Sequence, residues 1–209
     1  MVGNNGDEGS TFTAPLDTNG QLRSIFQLGY PVSEAAEEYI FTDLYPNILD
    51  GTYGYTSQVG RANLLISELV FTCNTRFLGT ALGNRTYNYR FDLPPGIHGQ
   101  DLDWTFVGEE VPDVATNIAM AMQSYFTTFA MTGDPNTGMG LPTWPLYGKE
   151  ATLLVFDEGG VVTAKDETAN RRSIWNKPNP VSLLTAIDTP EHKLDLQRTL
   201  LNYTTGDSS

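Results

Sequence analysis

Two histidines, one cysteine and a scatter of carboxylates are the groups in this 209-residue chain that could move protons or hold a metal. His98 stands in the loop Gly96-Ile97-His98-Gly99, shortly after an alternating stretch, where a rigid scaffold can present a ring to a cleft. His192 follows Pro190 in a polar stretch and has no such setting. Zinc sites take three or four ligands from His, Cys and carboxylates at short spacing. Cys73 and two distant histidines do not provide that pattern, so neither a metal nor another cofactor is expected. Phosphate cradling is disfavoured too, because the glycines around Gly6 are interleaved with Asp7 and Glu8, which repel an anion. Acid and base work remains. A carboxylate next to an early turn, Glu8, and an imidazole on a later loop, His98, have the separation of a triad that a fold assembles, while Asp7 and Glu8 alike fit a solvated turn. The plainer role for His98 is an imidazole satisfied by nearby backbone.

The elements that would position these groups can be read from periodicity. Met1-Val2-Gly3 runs into the turn formers Asn4 to Gly9, as the end of a strand would. Ser33 to Tyr45 predicts a helix with an N-cap and acidic first turn that stops before Pro46. A glycine- and tyrosine-rich loop, 51–60, leads to Leu64, Leu65, Leu69, Phe77 and Leu78, spaced as one or two broken helices. Tyr87, Tyr89 and Phe91 alternate with Asn88, Arg90 and Asp92, which is strand periodicity, and Pro94-Pro95-Gly96 ends it. A long helix is predicted from about Val114 to Met131, with Asp113 as cap and Gly133 and Pro135 as stop. Leu153 to Asp157 and Val161 to Ala164 read as a late hairpin across Glu158-Gly159-Gly160.

Composition bounds the partners. With 40% hydrophobic and 11% aromatic residues, the chain has the makings of a packed core rather than of a disordered segment. Twelve basic against 25 acidic side chains leave a formal charge of −13 and no basic cluster, so nucleic acid is not an expected partner. No apolar run approaches the roughly 20 residues that span a bilayer, and the first 30 positions lack the basic and apolar regions of a signal peptide. Asn84-Arg-Thr and Asn202-Tyr-Thr match the glycosylation acceptor pattern. Nothing in the composition specifies an oligomeric state.

Several ordered blocks go further. Gly3 to Phe12, reading GNNGDEGSTF, resembles the segment around the catalytic acid of type-B carboxylesterases, the family of cholinesterases and fungal lipases. Tyr89-Arg90-Phe91 followed by His98-Gly99-Gln100-Asp101-Leu102 is similar to the segment holding that family's catalytic histidine. Phe126 to Ala130, Thr132 to Asn136, Trp144-Pro145 and Trp175 match in order, so the resemblance covers roughly residues 1–176. It implies the C-terminal part of an α/β-hydrolase fold, the last strands of a mostly parallel sheet with packing helices; beyond Asn176 the composition itself turns irregular, so a partly disordered tail is expected over 177–209. It also implies Glu8 as catalytic acid, His98 as catalytic base and a carboxylic ester as substrate of the full-length parent. Family habit and the two acceptor triplets make export the expectation for that parent.

In this family the chain order is serine, acid, histidine, with the serine on a Gly-x-Ser-x-Gly elbow. None of Ser10, Ser24, Ser57, Ser67 or Ser124 sits between glycines at −2 and +2. The expectation is therefore a C-terminal fragment without nucleophile or oxyanion hole, inactive alone. Losing the nucleophile costs on the order of 10⁶ in turnover, and losing the oxyanion donors about 10²–10³ more. A cholinesterase-like binding protein and a remnant without function are the alternatives. The positions that are aromatic in cholinesterases are Thr11 and Gln100 here, which disfavours a choline ester. Phe12 is the candidate for lining an acyl or alcohol pocket, with core packing as its plainer role. A cysteine that some relatives pair with the Cys73 position is replaced by Arg172, so that disulfide is not expected.

Overall fold

The computed structural model describes residues 1–106, 113–136 and 140–166, with the backbone alone for 113–116. The expectations on Arg172, Trp175, His192, the Asn202 triplet and the tail 177–209 lie outside these residues. In chain order the described elements are β1 (Val2–Asn5), a single 3-10 turn (Ser10–Phe12), α1 (Asn19–Gly29), α2 (Glu34–Tyr39), α3 (Gln58–Ile66), α4 (Cys73–Ala81), β2 (Asn88–Phe91), α5 (Asp101–Thr105), α6 (Asp113–Thr132), β3 (Thr152–Asp157) and β4 (Gly160–Lys165).

The strands form one sheet in the order β1-β2-β3-β4. β1, β2 and β3 are parallel, with Gly3 opposite Tyr89 and Tyr89 opposite Leu154. β4 returns antiparallel to β3, Asp157 pairing with Gly160 across a two-residue turn. Parallel neighbours need long crossovers, and helices supply them. α3 and α4 lie between β1 and β2 in the chain and are joined through a π-helical stretch, Ser67–Thr72, which is the break implied by the spacing of Leu64 to Leu78. α6 lies between β2 and β3 and runs close to the expected limits; Asp113 opens the helix itself rather than preceding it.

The core around the sheet contains Phe91, Leu93, Ile118, Met122, Tyr125, Trp144, Leu154 and Phe156. Trp144 is its hub. Its indole Nε1 donates to the Asn88 carbonyl at 3.0 Å, and its ring stands edge-on to Tyr125 at 5.2 Å. The Asn136 side chain grips the Trp144 backbone from both sides, accepting from its N–H at 2.7 Å and donating to its carbonyl at 2.9 Å. The Thr132–Asn136 turn and the Trp144-Pro145 pair are thus two halves of one structural lock.

Thr18–Asn47 belongs to a different compact unit from Met1–Asp17 and the described residues between 48 and 166. Within it, α1 carries a capping box, in which Thr18 and Gln21 satisfy each other's backbone N–H groups. α2 is capped by Ser33 and continues as a π-helical stretch, Ile40–Leu44, that ends before Pro46. Phe26 of α1 meets Phe41 edge-on at 5.3 Å, and the Arg23 guanidinium stands 5.1 Å from the Phe41 ring while pairing with Glu38 at 2.5 Å.

Candidate active site

Parallel pairing brings the ends of β1 and β2 out on the same edge of the sheet, and the two chains stay together beyond it. The Gly6 N–H donates to the Phe91 carbonyl at 2.8 Å, and the Asp7 N–H donates to the Gly96 carbonyl at 2.8 Å. Asp7 and Ile97 form an isolated parallel bridge. Glu8 and His98 therefore follow the two ends of a bridge. In open α/β sheets this is the side on which ligands bind, outside the carboxyl ends of the strands.

Glu8 and His98 meet there. Glu8 is 3% exposed, its Oε1 accepts from the Asn5 N–H at 2.6 Å, and its Oε2 lies 2.5 Å from His98 Nδ1. A carboxylate can only accept, so that contact places the neutral imidazole's proton on Nδ1 and leaves Nε2 as an acceptor. Among the described residues, Nε2 has no hydrogen-bond partner. Asp7, the other acidic candidate, turns away: its Oδ1 accepts from the Ser10 N–H at 3.3 Å and closes a local turn. Of the two adjacent carboxylates, it is Glu8, the one the resemblance pointed to, that lies against His98.

The His98 side chain is 42% exposed and has two aromatic walls. Phe71 lies 4.7 Å and Phe12 lies 5.0 Å from it between ring centroids, and the two phenyl rings stack on each other at 5.6 Å. Phe12 is 52% exposed among the described residues, with one face on Phe71 and the His98 ring. Gln100 bends back on its own loop, accepting from the Ile97 N–H at 3.1 Å and donating to the Pro94 carbonyl at 3.3 Å.

The serines near the pair have structural duties. Ser67 Oγ accepts from the Gly9 N–H at 2.7 Å, Ser10 Oγ donates to the Asp7 carbonyl at 3.3 Å, and Ser57 caps α3. Among the described residues, no three His, Cys or carboxylate groups are placed to hold a metal ion. Cys73 is buried; burial, reinforced by Glu68 and Asp166, pushes its thiol up to about 12. Sequence reasoning did not single out Asn5, Phe71, Tyr89 or Asp101 as site residues. Asn5 lies three positions before Glu8, and Asp101 three after His98, a spacing that could have flagged them. Phe71 had no signal beyond an apolar helical stretch.

The mixed sheet and its flanking helices have the fold of part of an α/β-hydrolase. The solved structure of Aspergillus niger EstA shares that fold, with a TM-score of 0.65 and 20% identity over 91% of this chain and 40% of that one. No family model matches. The sequence is 36% identical over 140 residues to a carboxylesterase, patB, of Aspergillus clavatus, covering 65% of this chain and 25% of that protein. It is 26% identical over 184 residues to a secreted lipase of Arthroderma benhamiae, covering 82% of this chain and 36% of that protein. The chain is carboxylesterase-like and spans between a quarter and about a third of the length of these relatives.

Proposed function

We propose that residues 1–176 are the C-terminal portion of a serine carboxylic-ester hydrolase domain, with 177–209 as a tail outside it. The 2.5 Å contact between the buried Glu8 carboxylate and His98 Nδ1 carries this reading. In the proposed reaction His98 Nε2 takes the proton of a serine hydroxyl as that oxygen attacks the ester carbonyl. It later returns the proton to the leaving alcohol. Glu8 keeps the imidazole in the required tautomer and stabilises the imidazolium while it lasts. Phe12 and Phe71 line the acyl or alcohol side of the pocket. The serine and the donors for the oxyanion come from polypeptide outside these 209 residues, because no serine here stands in a Gly-x-Ser-x-Gly turn.

The purified chain given a short-chain aryl ester is expected to show background hydrolysis only. Co-production with the preceding portion of a related carboxylesterase, carrying that turn, is expected to restore turnover that His98→Ala abolishes. Turnover by the chain alone that a serine-directed phosphonate blocks would refute the reading, as would a reassembled enzyme indifferent to His98→Ala.

A further inference from the structure

Behind the Glu8–His98 pair lies a second bond between the same two segments. The Asn5 side-chain amide donates to Asp101 Oδ1 at 3.1 Å, and the Tyr89 hydroxyl donates to Asp101 Oδ2 at 2.7 Å. Asn5 is also the residue whose backbone N–H binds Glu8 Oε1. The early turn and the histidine loop are therefore tied twice, Glu8 to His98 and, three residues outward on both sides, Asn5 to Asp101. Tyr89 reaches Asp101 because Gly3 faces it in the sheet. A β-carbon at Gly3 would sit 2.1 Å from the Tyr89 ring, so only glycine leaves the ring its place. The same packing buries the phenol, and burial with the Asp101 and Glu8 carboxylates raises its pKa, which keeps it a proton donor.

We infer that Asp101 is a positioning residue: through Asn5 it fixes the Glu8 carboxylate in the orientation that meets His98 Nδ1. Its own side-chain hydrogen bonds go to Asn5 and Tyr89, not to Glu8 or His98. An aspartate suits the place because both its partners are donors and a carboxylate accepts on both oxygens. Alanine would leave the buried Asn5 amide and the Tyr89 hydroxyl without an acceptor, and the Asn5 backbone would be free to shift. Asparagine would keep the tie after one rearrangement. With the Asn5 amide flipped, its Oδ1, which has no partner among the described residues, would accept from the new amide nitrogen while Tyr89 donates to the new amide oxygen. Shape without charge is then sufficient, and Asp101→Asn is the conservative rescue.

The inference rests on the proposed Glu8–His98 relay, and the test separates the two. In the full chain, labelled with nitrogen-15 in its imidazoles, the His98 Nδ1 proton is followed by NMR for chemical shift and solvent exchange. Glu8→Gln tests the relay; an unchanged resonance there overturns the relay itself. Asp101→Ala is expected to move the resonance upfield and to speed exchange about five- to tenfold, the factor that loss of one net hydrogen bond gives. Asp101→Asn is expected to retain both. Asn5→Ala keeps the backbone donor but removes the tie, and is expected to behave as Asp101→Ala does, which covers an Asp101→Ala chain that fails to fold. Tyr147→Phe removes a buried hydrogen bond elsewhere, to Asp166 at 2.6 Å, and controls for general loosening. A folded Asp101→Ala or Asn5→Ala chain with an unchanged resonance overturns the inference and leaves the relay standing. So does an equal change in Tyr147→Phe.

Discussion

Replacing Glu8 by glutamine changes one atom and should reverse the polarity of the imidazole. Glu8 Oε1 faces the Asn5 N–H at 2.6 Å, so a glutamine there must turn its amide oxygen to that donor. The opposite choice would set two N–H groups face to face. The amide nitrogen is then left on His98 Nδ1, 2.5 Å away in the parent structure, and an NH₂ group can only donate. Nδ1 must become the acceptor and the proton must move to Nε2. Two charge-assisted hydrogen bonds become neutral ones, a loss of about 1 kcal/mol each, or about 2 kcal/mol in folding stability. In a reassembled enzyme the wrong tautomer should cost about 10⁴ in kcat, the effect of the equivalent change in serine-protease triads. The assay is the nitrogen-15 shift pattern of the labelled imidazoles under alkaline conditions that leave them neutral, with His192 as the internal reference. Wild type should show the proton on Nδ1 and Glu8→Gln should show it on Nε2. The same tautomer in both chains would refute the reasoning, whatever the change in stability.

The other expectations concern the frame around the pair. The Cys73 thiol is raised from its ordinary value of 9.0 to about 12 by burial, so between those values the unfolded chain has lost a proton that the folded chain keeps. Stability from this group is complete below pH 9 and falls at about 1.4 kcal/mol per pH unit above it. Urea titrations of wild type and Cys73→Ala at rising pH should converge accordingly, and parallel curves would contradict it. A β-carbon on Gly9 would lie 2.0 Å from the Asn63 carbonyl oxygen, a backbone atom of α3 that cannot swing aside. Gly9→Ala should therefore destabilise by about 1–3 kcal/mol or more, read as a lower Tm, and a Tm equal to wild type would mean this approach is looser. Phe71→Ala removes one wall of the His98 ring and the stacking partner of Phe12, a pair worth about 0.5–1.5 kcal/mol beyond its area. Ring relaxation by NMR should show a more mobile His98; an unaltered ring would assign its order to Glu8 alone.

Much of this arrangement was legible in the sequence where local chemistry decides it. Alternation at Tyr87–Asp92 marked β2, the apolar stripe through Ile118, Met122 and Tyr125 marked α6, and the glycine turn after Asp157 marked the hairpin. α1 went unread although Leu22, Ile25 and Phe26 stand at helical i, i+3, i+4 spacing behind the Thr18–Gln21 capping box. Other features depend on tertiary contact and carry no local sign. The motif resemblance pointed to Glu8, but the bond from the Asn5 N–H that holds its carboxylate exists only once β1 is in place. Asn88, polar yet buried, receives the Trp144 indole on its carbonyl, a bond across 56 residues that no window of sequence contains.

Parallel pairing explains why an acid and a base far apart in the chain need so little extra structure to meet. Once Val2–Asn5 lies against Asn88–Phe91, the Gly6–Phe91, Asp7–Gly96 and Asp7–Ile97 contacts carry the register to the foot of both loops. A one-residue slip would turn Asn5 to the other face, breaking its tie to Asp101 and displacing the backbone N–H that holds Glu8. Register in this part of the sheet is accordingly fixed by packing and by the site together. Gly3 fits only beneath Tyr89, and Asn5 reaches Asp101 only in the same alignment. Substitutions that loosen β1 should disturb the His98 environment before they unfold the core around Trp144, because Glu8 is held through β1 whereas the Trp144 lock is made on β2 and the Asn136 turn.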